Sequence, residues 1–258
     1  FEAAFGDKEI VCGTYDKKLL LFDKFKKAFV YQWQSTTINP GGFKPAIVYS
    51  IQQDNNILWI GTNKGLTQLN LKDQQQQSFF IPSLLMENNN ALVKKVVANN
   101  GDDLNKLWLI PWQPYNGIIL YDFKNKKIIK EWHTRNSKII RKYTDLFYSK
   151  INHNVIAARD SALDFFNENK GFLKTINIKG KVLSIEENVH GNVWIGYTDG
   201  LIYLNIKNSS LKPFFPSFEG TEVEKTSFGG TFPVNDIKIG DQNTLWLASV
   251  KYGLFSFD

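Results

Sequence analysis

A chain of 258 residues, 43% of them hydrophobic, can bury a full core and suits one large domain or two small ones. The single cysteine, Cys12, excludes an internal disulfide, and no run approaches the ~20 apolar residues of a membrane-spanning helix. The formal charge of +6 comes from lysines spread through turns such as DKFKKA and DFKNKK, and no DNA- or RNA-binding signature is present, so nucleic acid is set aside as a partner.

Aromatic residues make up 14% of the chain, and short β-rich runs alternate with Asn, Asp and Gly clusters. In chain order the predicted strands group in fours, A to D. The first copy has a stub of A at residues 1–5, B at EIVCGT, C ending on Asp23, and D at AFVYQW, 28–33. In the apolar run IVCG, Cys12 reads as a small buried hydrophobe rather than a nucleophile. The second copy runs AIVYSI (46–51), ILWIGT, a strand ending on Asn70, and SFFIP (78–82). The third runs LVKKVV (92–97), KLWLIP, a strand ending on Asp122, and KIIKEW (127–132). The fourth runs KYTDLFYSKI (142–151), NVIAAR, a strand ending on Asn167, and FLKTINI (172–178). The fifth runs KVLSIEE (181–187), NVWIGY, a strand ending on Asn205, and LKPFF (211–215). The sixth has VNDIKI (234–239), TLWLAS and a strand ending on Asp258, with no D.

Two of these copies are nearly the same text. LWIGTNKGLTQLN (58–70) and VWIGYTDGLIYLN (193–205) match at seven positions, among them Trp59 with Trp194 and Gly65 with Gly200. The polar markers closing strand C are 47, 52, 45, 38 and 53 residues apart, a blade-sized period rather than that of a helical or leucine-rich repeat. Four strands in each period predict an all-β fold, a β-propeller of four-stranded blades. Its repeats lie near 1–33, 46–82, 92–132, 142–178, 181–215 and 234–258 of a single domain over 1–258. The two ends do not complement each other, so the six repeats are expected to be part of a seven-bladed ring in a larger protein. The anchor position of strand B holds Val11, Trp59, Trp108, Ile156, Trp194 and Trp246. The four tryptophans are expected to pack between neighbouring sheets as blade anchors. Asp or Asn at the end of C suits the exit turn, because it bonds its own backbone and tolerates a left-handed conformation.

The pattern LWIGT…GL…N resembles the two-component regulator propeller repeat of hybrid two-component histidine kinases, Bacteroidetes type. The match is good in 57–70, 192–205 and 244–258, partial in 9–23 and 106–122, and weak in 153–167; Trp108 is followed by Leu-Ile-Pro where Ile-Gly-Thr is expected. The resemblance implies a ligand-sensing propeller in the periplasm, part of an inner-membrane protein, passing its signal to flanking propeller, β-sandwich and kinase domains of the same chain. A second copy of the chain is a further candidate partner.

For a site, the long D-to-A loops 34–44 and 216–233 and the B-to-C insertion IPWQPYNG (110–117) mark the working end of the strands. The only three arginines, Arg135, Arg141 and Arg159, map to that end, with Trp112 and Tyr115 on the insertion and His133 at the end of a D strand. Guanidinium forks bind carboxylate, sulfate or phosphate, and aromatics stack on sugar faces, so these residues are candidates for an oligosaccharide or other small ligand. Three unrelated surface charges are the plainer reading. No catalytic set, metal-ligand spacing or cofactor motif is present: no nucleophile pairs with a base, and Glu219, Glu222 and Glu224 share one loop. The segment is read as non-enzymatic, with a polysaccharide lyase or glycosidase and a protein-binding scaffold as the rivals.

Overall fold

The computed structural model describes residues 2–5, 8–16, 18–33, 46–73, 75–79, 81, 92–99, 105–111, 117–133, 142–214, 232–240 and 244–257. Every regular element among them is a strand. Each sheet is an antiparallel meander in chain order. Sheet one is β1 (Glu2–Phe5), β2 (Glu9–Gly13), β3 (Leu19–Asp23) and β4 (Ala28–Trp33). Sheet two is β5 (Val48–Asp54), β6 (Ile57–Thr62), β7 (Gly65–Asn70) and β8 (Gln76–Phe79). Sheet three is β9 (Val93–Ala98), β10 (Lys106–Pro111), β11 (Gly117–Asp122) and β12 (Lys127–His133). Sheet four is β13 (Tyr143–Ser149), β14 (Asn154–Arg159), β15 (Ala162–Asn167) and β16 (Gly171–Asn177). Sheet five is β17 (Val182–Glu187), β18 (Val193–Tyr197), β19 (Gly200–Asn205) and β20 (Ser210–Phe214). Sheet six has three strands among the described residues, β21 (Asp236–Ile239), β22 (Leu245–Ser249) and β23 (Gly253–Phe257).

The turns explain the periodic Asp and Asn. Asp23 Oδ1 accepts the N–H of Phe25 and of Lys26, and Asn70 Oδ1 accepts that of Lys72. Asp122, Asn167 and Asn205 do the same for residues two or three further on. The left-handed residue of these turns is not the Asp or Asn itself, as the sequence suggested. It lies four positions later, at Lys27, Lys126, Gly171 and Ser209. The side chain of the marker folds the turn while a later residue takes the positive φ.

The chain divides into two compact units, residues 1–141 and 142–258. In the first unit, Val11 and Leu19 of sheet one join Val48, Leu58, Ile60 and Leu69 of sheet two in one buried cluster. Strands in the middle of a sheet are covered on both faces, so they read as continuous apolar runs such as ILWIGT. Trp59 is 1% exposed and fills the space between sheets two and three with Phe79, Val93, Val96 and Leu109. Its ring centroid lies 4.5 Å from that of Phe123 and 5.7 Å from that of Phe79. Trp108 is equally buried and stacks on Trp132 at 5.2 Å. The glycine two residues after the anchor admits the next sheet. A Cβ on Gly61 would stand 2.7 Å from the carbonyl oxygen of Val93, and one on Gly13 would stand 2.2 Å from Val48 Cγ1.

The second unit repeats the device. A Cβ on Gly196 of sheet five would lie 2.4 Å from the Val234 carbonyl oxygen, and Val234 N–H donates to Tyr197 O at 3.1 Å. Trp194 packs half-buried against the cluster of Leu201, Phe232, Val234, Ile237 and Leu247 that joins sheets five and six. Between sheets four and five, Glu187 accepts from the Ser149 hydroxyl, from the Lys150 N–H and from Asn152 Nδ2, tying adjacent hairpins together. Trp246 departs from the expectation for blade anchors: it is 43% exposed, because among the described residues of its own unit no sheet packs over its face of sheet six.

One charge lies within the joint of sheets five and six. Burial pushes the Glu186 carboxyl above its ordinary value, while Lys238 Nζ at 3.2 Å pulls it back in part. A carboxyl raised by folding adds stability below its unfolded value, roughly pH 4, and loses it as pH rises through the folded one. Glu186→Gln is therefore expected to raise the urea midpoint relative to the parent at pH 7, with the gain shrinking towards pH 4. An equal difference at both pH values would show that burial of the charge is not the controlling factor.

Candidate functional site

Arg159, the last residue of β14, is the one candidate ligand residue whose side chain is described. Strand alternation and register put it on one face of sheet four with Tyr143, Asp164 and Thr175: Tyr143 pairs with Arg159, and Asp164 pairs with Thr175. Asp164 is wholly buried, and its carboxylate accepts from the Tyr143 hydroxyl at 2.8 Å and the Thr175 hydroxyl at 2.6 Å. Arg159 donates to it from Nε at 3.0 Å and from Nη2 at 3.5 Å. Tyr143 is itself held edge-on to Phe166, with centroids 6.2 Å apart.

A buried carboxylate with this many donors is compensated, and it fixes the guanidinium in one orientation. The Arg159 side chain is 24% exposed, and its remaining N–H donors have no protein partner among the described residues. The pair is net neutral, so at the surface it offers directed donors rather than excess positive charge. That suits hydroxyl or carboxylate oxygens of a ligand better than long-range attraction of an anion. Nothing in the arrangement supplies a nucleophile with a base.

His133 closes β12 opposite Gly117, and its side chain lies outside the described residues. Trp112, Tyr115, Arg135 and Arg141 lie outside them too, as do Glu219, Glu222 and Glu224. His153 and His190 occupy A-to-B turns; His153 takes a positive φ of 51° and the His190 N–H donates to Asn188 Oδ1. Sequence reasoning passed over Tyr143, Asp164 and Thr175. The signal available was the lone acid inside the apolar run ALDFF, five residues after Arg159. A charge in a run with both faces covered needs a buried partner.

No protein-family model and no curated protein sequence matches the chain. Solved structures do. The extracellular domain of a hybrid two-component system protein, BT4673 of B. thetaiotaomicron, aligns with 99% of this chain and 32% of its own, at 16% identity and a TM-score of 0.70. The extracellular domain of BT3049, a second hybrid two-component system protein of the same organism, aligns with 100% of this chain and 33% of its own, at 16% identity and a TM-score of 0.72. The WD40 β-propeller domain of Doa1 aligns with 100% of this chain and 77% of its own, at 14% identity and a TM-score of 0.67. These likenesses show the fold, an all-β β-propeller whose blades are the sheets described above. The chain spans about a third of the length of the two B. thetaiotaomicron domains.

Proposed function

We propose that this propeller is the ligand-sensing part of an extracytoplasmic two-component signalling protein, related to the two-component regulator propeller repeat. The observation that carries the reading is the agreement between the LWIGT…GL…N repeat and the likeness, over essentially the whole chain, to extracellular domains of two hybrid two-component system proteins. In this reading the domain turns over nothing. It binds a carbohydrate-like ligand through Arg159, which Asp164 holds at the end of strand B; Arg135, Arg141, Trp112, Tyr115 and His133 are the further ligand candidates that the sequence pattern offers. Membrane anchoring and a histidine kinase output belong to other parts of the protein.

The signal has a physical requirement. A ligand shifts an equilibrium between two arrangements of neighbouring domains only by its differential affinity for them, and a tenfold shift needs about 1.4 kcal/mol. Packed blades make a rigid-body shift at an interface a better output than rearrangement within the propeller.

Calorimetry with a panel of uronate, sulfated and neutral oligosaccharides tests the reading. We expect a weak binder among the panel whose affinity falls about tenfold or more in Arg141→Ala, the loss typical of one charge-assisted contact. Binding unaffected by Arg141→Ala and Arg159→Ala would remove the site. Sustained release of cleaved ends that stops when His133 is replaced would replace the sensor by a propeller enzyme.

A further inference from the structure

The turns from strand A to strand B carry polar residues and glycine in three of the sheets: Gly6-Asp7-Lys8 in sheet one, Asn55-Asn56 in sheet two and Asp241-Gln242-Asn243 in sheet six. Sheets four and five break that pattern side by side. Ile151 in the turn of sheet four is 49% exposed, and Val189 in the turn of sheet five is 67% exposed. Val189 is not needed to fold its turn. Asn188 Oδ1 accepts the N–H of His190 and of Asn192, and Gly191 takes the positive φ of 77°, which leaves the valine side chain to solvent. Both residues lie beyond the strand ends, at the tips of their hairpins rather than on a face where a sheet packs.

The two tips are held together. Glu187, at the end of β17, accepts from the Ser149 hydroxyl and from the Lys150 N–H across the joint. Asn152 Nδ2 donates to the Gly191 carbonyl at 2.9 Å, and Gly191 leaves room for Ile151, whose Cγ2 would stand 2.8 Å from a Cβ there. All of these groups belong to the unit 142–258. A meander puts the C-to-D turns at the same end, so the exposed Lys150, Lys170 and Lys207 share it with the two aliphatic tips. Lys174 Nζ reaches that end as well, donating to Ser209 Oγ at 2.6 Å. The acids of the four turns are Glu168 and Glu187, and Glu187 is half-buried in the clasp. Among the described residues at the opposite end of these two sheets the charges balance, with Arg159, Lys179 and Lys181 against Asp160, Asp164 and Asp199.

We propose that the paired tips Ile151 and Val189 dock on an anionic lipid bilayer, their aliphatic side chains entering the headgroup layer while the surrounding ammonium groups meet lipid phosphate. Charge selects this occupant, because an excess of lysine beside exposed aliphatic side chains complements an anionic interface. Area points the same way. A standard protein interface buries roughly 800 Å² on each side, more than two hairpin tips supply, whereas entry into a bilayer needs no partner of matching shape. The Glu187 clasp fixes both tips beforehand, so docking loses little freedom of either hairpin. The contact does not depend on the ligand site at Arg159.

Co-sedimentation of residues 1–258 with sucrose-loaded vesicles tests this, comparing phosphatidylcholine alone with an equal mixture of phosphatidylcholine and phosphatidylglycerol. Partitioning onto the anionic vesicles is expected, and it should fall about tenfold or more in the double variant Ile151→Asp/Val189→Asp. The triple variant Lys150→Gln/Lys170→Gln/Lys207→Gln should lose at least about tenfold and become less sensitive to salt. Lys179→Gln/Lys181→Gln, at the opposite end, should change nothing. An environment-sensitive dye on Val189→Cys in a Cys12→Ser background gives a second readout, with a blue shift on anionic vesicles that the same dye on Lys179→Cys lacks. No partitioning, or partitioning that the tip variant retains, would overturn the proposal. An equal loss in the Lys179/Lys181 variant would do so too, since net charge rather than the tips would then drive binding. Self-association without lipid that Val189→Asp abolishes would assign the tips to a second copy of the chain instead.

Discussion

Trp59→Ala is expected to lower stability by about 3–5 kcal/mol, the cost of emptying a buried aromatic site whose surroundings relax only in part. The site is closed on every side. Phe79 belongs to the same sheet, whereas Phe123, Val93 and Leu109 come from sheet three, so the cavity would open in the joint between two sheets. Backbone approach limits collapse: Val93 O already sits where a Cβ on Gly61 would lie at 2.7 Å. Urea unfolding measures the loss, with Trp246→Ala as the internal comparison. Because Trp246 is 43% exposed, its truncation should cost only about 1 kcal/mol in this chain. Equal losses from the two variants would mean that Trp59 does not join the sheets.

Asp164→Ala should be comparably severe, about 3–5 kcal/mol, for a different reason. It strips the acceptor from a partly buried guanidinium and from the Tyr143 and Thr175 hydroxyls at once, at a position that is wholly closed to water. Arg159→Ala leaves the carboxylate with the Tyr143 and Thr175 hydroxyls and should cost less. The double variant should be much milder than the sum, since removing both charges leaves neither one buried alone. Strict additivity, read from urea unfolding of the four proteins, would show that the ion pair is not the coupled element. If the propeller binds an oligosaccharide, Asp164→Asn should weaken binding while leaving the fold intact, because the guanidinium loses its fixed aim.

Much of the architecture was determined by the sequence itself. Strand D of the first repeat was read as 28–33 and β4 occupies Ala28–Trp33; strand A of the fifth was read as 181–187 and β17 occupies Val182–Glu187. The reason is that a meander of short strands is specified locally. Apolar runs set the strands, and an Asp or Asn that bonds its own turn sets each exit. The glycine two residues past Trp59 and Trp194 is local text with a non-local purpose, admission of the next sheet, and only the packed structure reveals it.

Burial and charge pairing were decided by the tertiary structure. Trp59 and Trp246 occupy the same position of the repeat, yet one is 1% and the other 43% exposed, because burial depends on which side chains the packed sheets of each unit bring to that position. Arg159 read as a free surface cation from its place at the end of β14, but Asp164, five residues on and across the hairpin, holds its guanidinium. The apolar run ALDFF sets this acid apart from the many in solvated turns, but the one-dimensional pattern does not separate a partnered arginine from a free one. That difference arises only when strand register brings Tyr143, Arg159, Asp164 and Thr175 onto one face and the packed sheets exclude water from it.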